Sequence, residues 1–220
     1  MNLQLAFADL WRDIGAVPDY FDSYADLINR HHEPHRKYHN TEYLADSLEE
    51  IAQLKKTKSI ENPLALELAQ WFKRSVYSTD SGRYLHNETE SAVHAELTIS
   101  NTPFKDNSLK IHLMKLVPSF VHCIKLSGSP FLTSLEEKCM ADIDLSILGK
   151  SEERYDRYAK AIPEEFGLAG DYGFNKVRAL FLENKLLAKP MIFHTPYFIE
   201  KYEDKARENI AREIRSLSQE

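Results

Sequence analysis

In the stretch TEYLADSLEEIAQLKK, Leu44, Leu48, Ile51 and Leu54 recur at spacings of four, three and three. That places them on one side of a helix, with Glu49, Glu50 and Lys55 facing away. Asn40 or Thr41 is positioned to cap its start. The same period runs through nearly the whole chain and predicts further helices over 2–14, 18–33, 63–78, 87–99, 108–126, 131–146, 151–165, 171–187 and 197–217. Only seven glycines occur in 220 residues, which disfavours an architecture of strands and tight hairpins. The fold class read from this pattern is all-α.

Prolines mark the joints between helices: Pro18, Pro34, Pro63, Pro103, Pro130, Pro163, Pro190 and Pro196. A proline costs little at a helix start, where its missing N–H has no partner anyway. Pro118 instead falls inside a helical pattern and predicts a kink or a split. The length suits a single domain spanning 1–220. Within it, 197–217 is an amphipathic docking helix, with Ala206, Ile210, Ile214 and Leu217 on one face.

Acids and bases are mixed along the chain, and the formal charge is −6. No basic footprint points to nucleic acid, and no apolar run is long enough to cross a membrane. The N-terminus lacks the basic lead of a secretory signal, so the expected location is cytoplasmic. Cys123 and Cys139 read as reduced core thiols. Tyr172, Phe174 and Tyr197 belong either to an interface or to the core.

Four histidines, His31, His32, His35 and His39, fall within NRHHEPHRKYHNTEYL. Pro34 pushes Glu33 out of helical conformation, so His31 and His32 close one helix and His35 opens the next turn. The four-residue spacing of His35 and His39 could place both on one helical face. Arg36 follows the first, where a zinc metalloprotease helix would carry Glu. The plainer reading is two histidines bonded to backbone or carboxylates. In CMADIDLSILGK, Asp142 and Asp144 sit two apart in an apolar run. They point to different sides of a helix, and a buried one needs a cation, a metal or several donors. The alternative is one capping aspartate and one solvated. In LHNETESAVHAEL, Asn87 and Glu90 have capping-box spacing, and Glu88 suits the first turn.

Taken in order, LWRDIG, EPHRKYHNTEYL, ELAQWFKRSVYS, HNETESA, DIDLSILG with YDRYAKAI, FLENK and AREN resemble the predicted metal-dependent phosphohydrolases of the HD superfamily. The resemblance spans nearly the whole chain. It implies an HD-like bundle of roughly nine to eleven helices around a pocket. There a His, a His-Asp pair and a later Asp would hold a divalent metal that activates water against a phosphoester.

The chain departs from that pattern at the ligands. Tyr38, His39 and Asn40 are kept, but Tyr43 stands where the pattern has His. Lys73 and Arg74 follow Trp71 and Phe72 where the His-Asp pair is expected, and no downstream histidine is recognisable, although His122 lies near. Replacing the pair by two cations changes the charge by roughly three units where a dication would sit. Neither cation offers a lone pair.

The expectation is therefore a non-catalytic HD-fold protein with no metal. Lys73 or Arg74 would pair with Asp142 or Asp144. His35, Arg36, His39, Tyr43, Lys73 and Arg74, with Glu88 beside them, would line a pocket for a nucleotide or another phosphate-bearing small molecule, or for a protein partner. The alternative is a phosphohydrolase with a rearranged site. It would use Glu88, Asp142 and Asp144 in catalysis, with His39 and the aspartates holding Mg²⁺, Mn²⁺ or Fe²⁺.

Overall fold

The structure is a computed structural model that describes every residue except 18, 58, 81, 127–131, 169–170 and 219–220. Pro18 and Pro130, read as joints, and the start of the helix expected at 131 lie outside the described residues. Among the described residues there are ten α-helices and no strands, as the periodicity predicts. No helix among them is long and apolar enough to cross a membrane. The chain divides into two compact units, Met1–Ser127 and Gly128–Glu220.

The first unit holds α1 (Leu3–Asp13), α2 (Phe21–His31), α3 (Thr41–Lys56), α4 (Pro63–Phe72), α5 (Asn87–Asn101) and α6 (Asn107–His122). Its core is built on Trp71, fully buried, with the Phe7 ring 4.8 Å away edge-on and Tyr24 at 6.3 Å. Each such large side chain contributes about 2–3 kcal/mol on leaving water. Leu44, Leu48, Ile51 and Leu54 of α3 are all buried, as their spacing requires. Glu50, expected to face outward, is only 2% exposed. The buried arc of α3 is wider than its leucine stripe, because it also takes in Tyr43 and Ser47.

The second unit holds α7 (Leu135–Leu145), α8 (Glu152–Glu165), α9 (Tyr172–Phe181) and α10 (Pro196–Leu217). Phe198, Ala206 and Ile210 of α10 are fully buried. A short turn, Ser146–Gly149, packs on α10 at Gly149. A Cβ there would lie 2.5 Å from the Tyr202 Cβ, so glycine permits the close approach. Cys123 and Cys139 are buried thiols, and burial pushes Cys139 up to about 12.

Four local expectations need correction. The α4 helix stops at Phe72 instead of running to 78, because Lys73 turns extended and Arg74 takes φ +63°. Pro118 does not split α6, which runs unbroken from Asn107 to His122. The buried face of Leu113, Val117, Phe120 and Val121 outweighs one lost backbone bond. The helix expected over 171–187 widens into a π-helical turn at Leu182–Leu187. Asn87 forms no capping box. Its side chain accepts from the Ser78 N–H at 2.8 Å and donates to the Ser78 carbonyl at 2.9 Å. The box occurs instead at Ser134 and Glu137, where α7 begins.

Candidate functional site

Two turns of the first unit meet around Tyr77. One is the segment 33–40 between α2 and α3. It is not helical, so His35 and His39 do not share a helix face. It ends at Asn40, whose side chain accepts from the N–H groups of Glu42 and Tyr43 and so caps α3. The other is the segment 73–78 after α4. A left-handed arginine costs roughly 1 kcal/mol, and here both ends of the residue are engaged. The Arg74 carbonyl accepts from Arg36 Nη1 at 2.6 Å, and the Arg74 guanidinium pairs with Glu88 at 2.6 Å.

Arg36 staples the turns together. Its side chain is wholly buried, and it donates to the carbonyls of His39, Arg74 and Ser75 and to the Glu33 carboxylate. His35 Nε2 lies 3.0 Å from the Tyr77 carbonyl and donates to it. The second turn is also pinned to α5. Ser91 Oγ accepts from Val76 N–H and donates to the Val76 carbonyl, both at 3.1 Å. His94 Nδ1 sits 2.9 Å from Ser75 Oγ, and its Nε2 is 3.0 Å from Asp26 of α2. Burial, reinforced by Arg30 and opposed by the Asp26 carboxylate, lowers the His94 pKa, and the Nε2–H donates to that carboxylate.

The Tyr77 ring is the hub. The His39 ring centroid is 4.5 Å away, and the His35 ring lies parallel to it at 6.3 Å. The guanidinium carbons of Arg36 and Arg74 lie 5.3 and 5.9 Å from its centre. Lys73 is 1% exposed, with its Nζ 5.4 Å from the Tyr43 ring, which in turn packs on His39 at 5.1 Å. Cations over aromatic faces at such distances contribute about 1 kcal/mol or more when desolvated. His31, at the end of α2, is also buried. Burial lowers its pKa to about 4, helped by Arg36, His39 and His32 and opposed by its bond to the Leu27 carbonyl.

His35, Arg36, His39, Tyr43, Lys73, Arg74 and Glu88 are thus brought into one cluster. Asp142 and Asp144 lie on α7 of the second unit. Asp142 is fully buried. One of its oxygens accepts from His194 N–H and Nδ1–H, the other from Thr195 N–H and Oγ–H, all at 2.7–2.9 Å. It therefore holds the entry to α10, whose first residue follows Thr195. Asp144 is half-buried, and His122 is exposed at the end of α6.

Tyr77 escaped the sequence reading because its helix was expected to run to 78, which would have carried it past the cluster. The Ser75–His94–Asp26 chain escaped it because its members are separated by 19 or more positions and follow no motif.

A cavity of about 400 Å³ opens on the His35 side of Tyr77. Arg30, His35, Tyr77, Ser78, Thr79 and Arg83 line it, with Glu33 and Asp80 also present. The Tyr77 cluster suits a dication poorly. Glu88 is engaged by Arg74, and His39 is packed among rings with Arg36 and Arg74 close by. Among the described residues, no group of three or more His, Cys, Asp or Glu side chains converges as metal ligands would. Comparison of the chain with protein-family models, with curated proteins and with solved structures finds no match.

Proposed function

We propose that this chain is a non-catalytic, HD-like helical protein that binds a phosphate-bearing small molecule at the Tyr77 cluster. The observation that carries the reading is the cavity that Arg30, His35 and Arg83 line, with the part-exposed Arg74 guanidinium 5.9 Å from the centre of the Tyr77 ring at its wall. Arginines suit planar, multi-oxygen anions, and the part-exposed His35 ring at the cavity wall offers a surface for a nucleobase. Glu88 holds the Arg74 guanidinium as an internal anion, with which an incoming phosphate competes. The chemistry of catalysis is poorly supported. A hydrolase needs an activated water, and the groups gathered here stabilise negative charge without supplying a nucleophile.

Calorimetry and thermal shift with inorganic phosphate, nucleoside mono-, di- and triphosphates test the reading. Saturable binding that Tyr77→Ala weakens is the expected result. No binding by any anion overturns it. Manganese-dependent release of phosphate from a generic phosphoester, or a divalent metal retained by fresh protein, overturns the non-catalytic part and restores the hydrolase alternative.

A further inference from the structure

Helix α9 has the sequence YGFNKVRALF, and not one of its ten residues is buried. Tyr172 is 70% exposed, Val177 66%, and Leu180 and Phe181 48% each. Isolated helices of this length are marginal in water, and an apolar face this open is normally covered. Between α9 with its π-helical continuation and the last turns of α10 runs a groove of about 530 Å³. Lys176, Ala179, Leu180 and Glu183 line one side, and Ile214 and Leu217 the other.

We infer that this groove is where a second copy of the chain docks, α9 against α9, antiparallel about a two-fold axis between Ala179 and Leu180. Lys176, Ala179, Leu180 and Glu183 follow the i, i+3, i+4, i+7 spacing of a single helix stripe. The stripe carries a cation at one end, an anion at the other, and a small residue beside a large one at its centre. An occupant must therefore present an anion to Lys176, a cation to Glu183, a small residue to Leu180 and a protruding apolar side chain to Ala179. The same stripe run in reverse meets all four demands. Lys176 faces Glu183 of the second copy, Glu183 faces its Lys176, and each Leu180 seats over the other copy's Ala179. This is the self-complementarity that a two-fold interface requires. The contact is short compared with the roughly 800 Å² per partner of standard interfaces, so association in about the micromolar range is expected.

Sedimentation equilibrium of the full chain across roughly 1–500 µM tests the inference. The wild type should pass from monomer to dimer. Lys176→Glu alone and Glu183→Lys alone each place like charges opposite one another at both ends, and should weaken the dimer by about tenfold or more. The double variant reverses both and should restore association to within about threefold of the wild type. Leu180→Glu should leave a monomer. The three substituted positions are exposed, and circular dichroism checks that each variant keeps its helices. A wild type that stays monomeric throughout, or single-variant losses that the double variant does not rescue, overturns the inference. The latter pattern would mark the groove as the seat of a different protein.

Discussion

Asp142 in the second unit and Arg74 in the first are both charged side chains set in folded protein, but their surroundings differ in kind. Asp142 accepts four hydrogen bonds from two consecutive residues, His194 and Thr195, and is sealed from solvent. Arg74 sits on left-handed backbone, pairs with Glu88 Oε1 at 2.6 Å, and keeps 16% of its side chain exposed. The first arrangement can hardly change without unfolding the start of α10. The second keeps some solvent access and a backbone under mild strain, and the proposed function has an incoming phosphate displace Glu88 from it. A residue set like Asp142 serves the fold, and one set like Arg74 is where the proposed function places the ligand.

The strongest way to break this comparison is to remove the Asp142 carboxylate. Asp142→Ala leaves two buried backbone N–H groups and a hydroxyl without their acceptor, and should cost about 3–5 kcal/mol in chemical denaturation. A variant as stable as the wild type would show that Asp142 has been misread as structural.

The pH dependence comes next. His31 is held neutral, its pKa brought from 6.5 to about 4 chiefly by burial. Below pH 6.5 the unfolded chain binds a proton that the folded chain refuses. Stability from this group is therefore fully present above pH 6.5 and falls away as the pH drops toward 4. The loss should be about 3 kcal/mol. His31→Gln, which keeps a donor for the Leu27 carbonyl and does not titrate, should flatten that slope. An unchanged slope would assign the acid sensitivity elsewhere.

Gly149→Ala probes packing in the second unit without touching a charge. Its Cβ would collide with Tyr202, and urea denaturation should show a loss of about 1–3 kcal/mol. The smallest stability effect belongs to the first unit. Glu88→Ala should cost about 1 kcal/mol, since its partner remains partly hydrated, while tightening phosphate binding about tenfold by freeing the guanidinium. Calorimetry reads both the affinity and its direction. Weaker binding in this variant would mean that Glu88 contacts the ligand instead of competing with it.

Much of the architecture can be read in one dimension because helices announce themselves locally. The leucine stripe of α3, Asn40 as its cap, and Pro63 and Pro196 as first residues of α4 and α10 all follow from neighbours within four positions. His35, Arg36, His39, Tyr43, Lys73, Arg74 and Glu88 do meet around one point, but Arg74 pairs there with Glu88, and Asp142, expected as a partner of Lys73 or Arg74, accepts from His194 and Thr195. The hub itself was not legible. Tyr77 reaches the cluster only because α4 breaks at Lys73, and nothing in KRSVYS signals a break, since it contains neither glycine nor proline. The break is held from outside, by Arg36 on the Arg74 and Ser75 carbonyls and by Asn87 and Ser91 on the turn.

The sequence by itself determined the all-α class, most helix boundaries and the identity of the charged residues, because helix period, caps and prolines act over a few residues. Only the tertiary structure decided which charges are satisfied, where a helix must end against its own propensity, and which apolar face stays uncovered. Those outcomes depend on hydrogen bonds and packing between segments tens of residues apart. The free energy of such contacts is set by burial, and burial is not a property of any short stretch of chain.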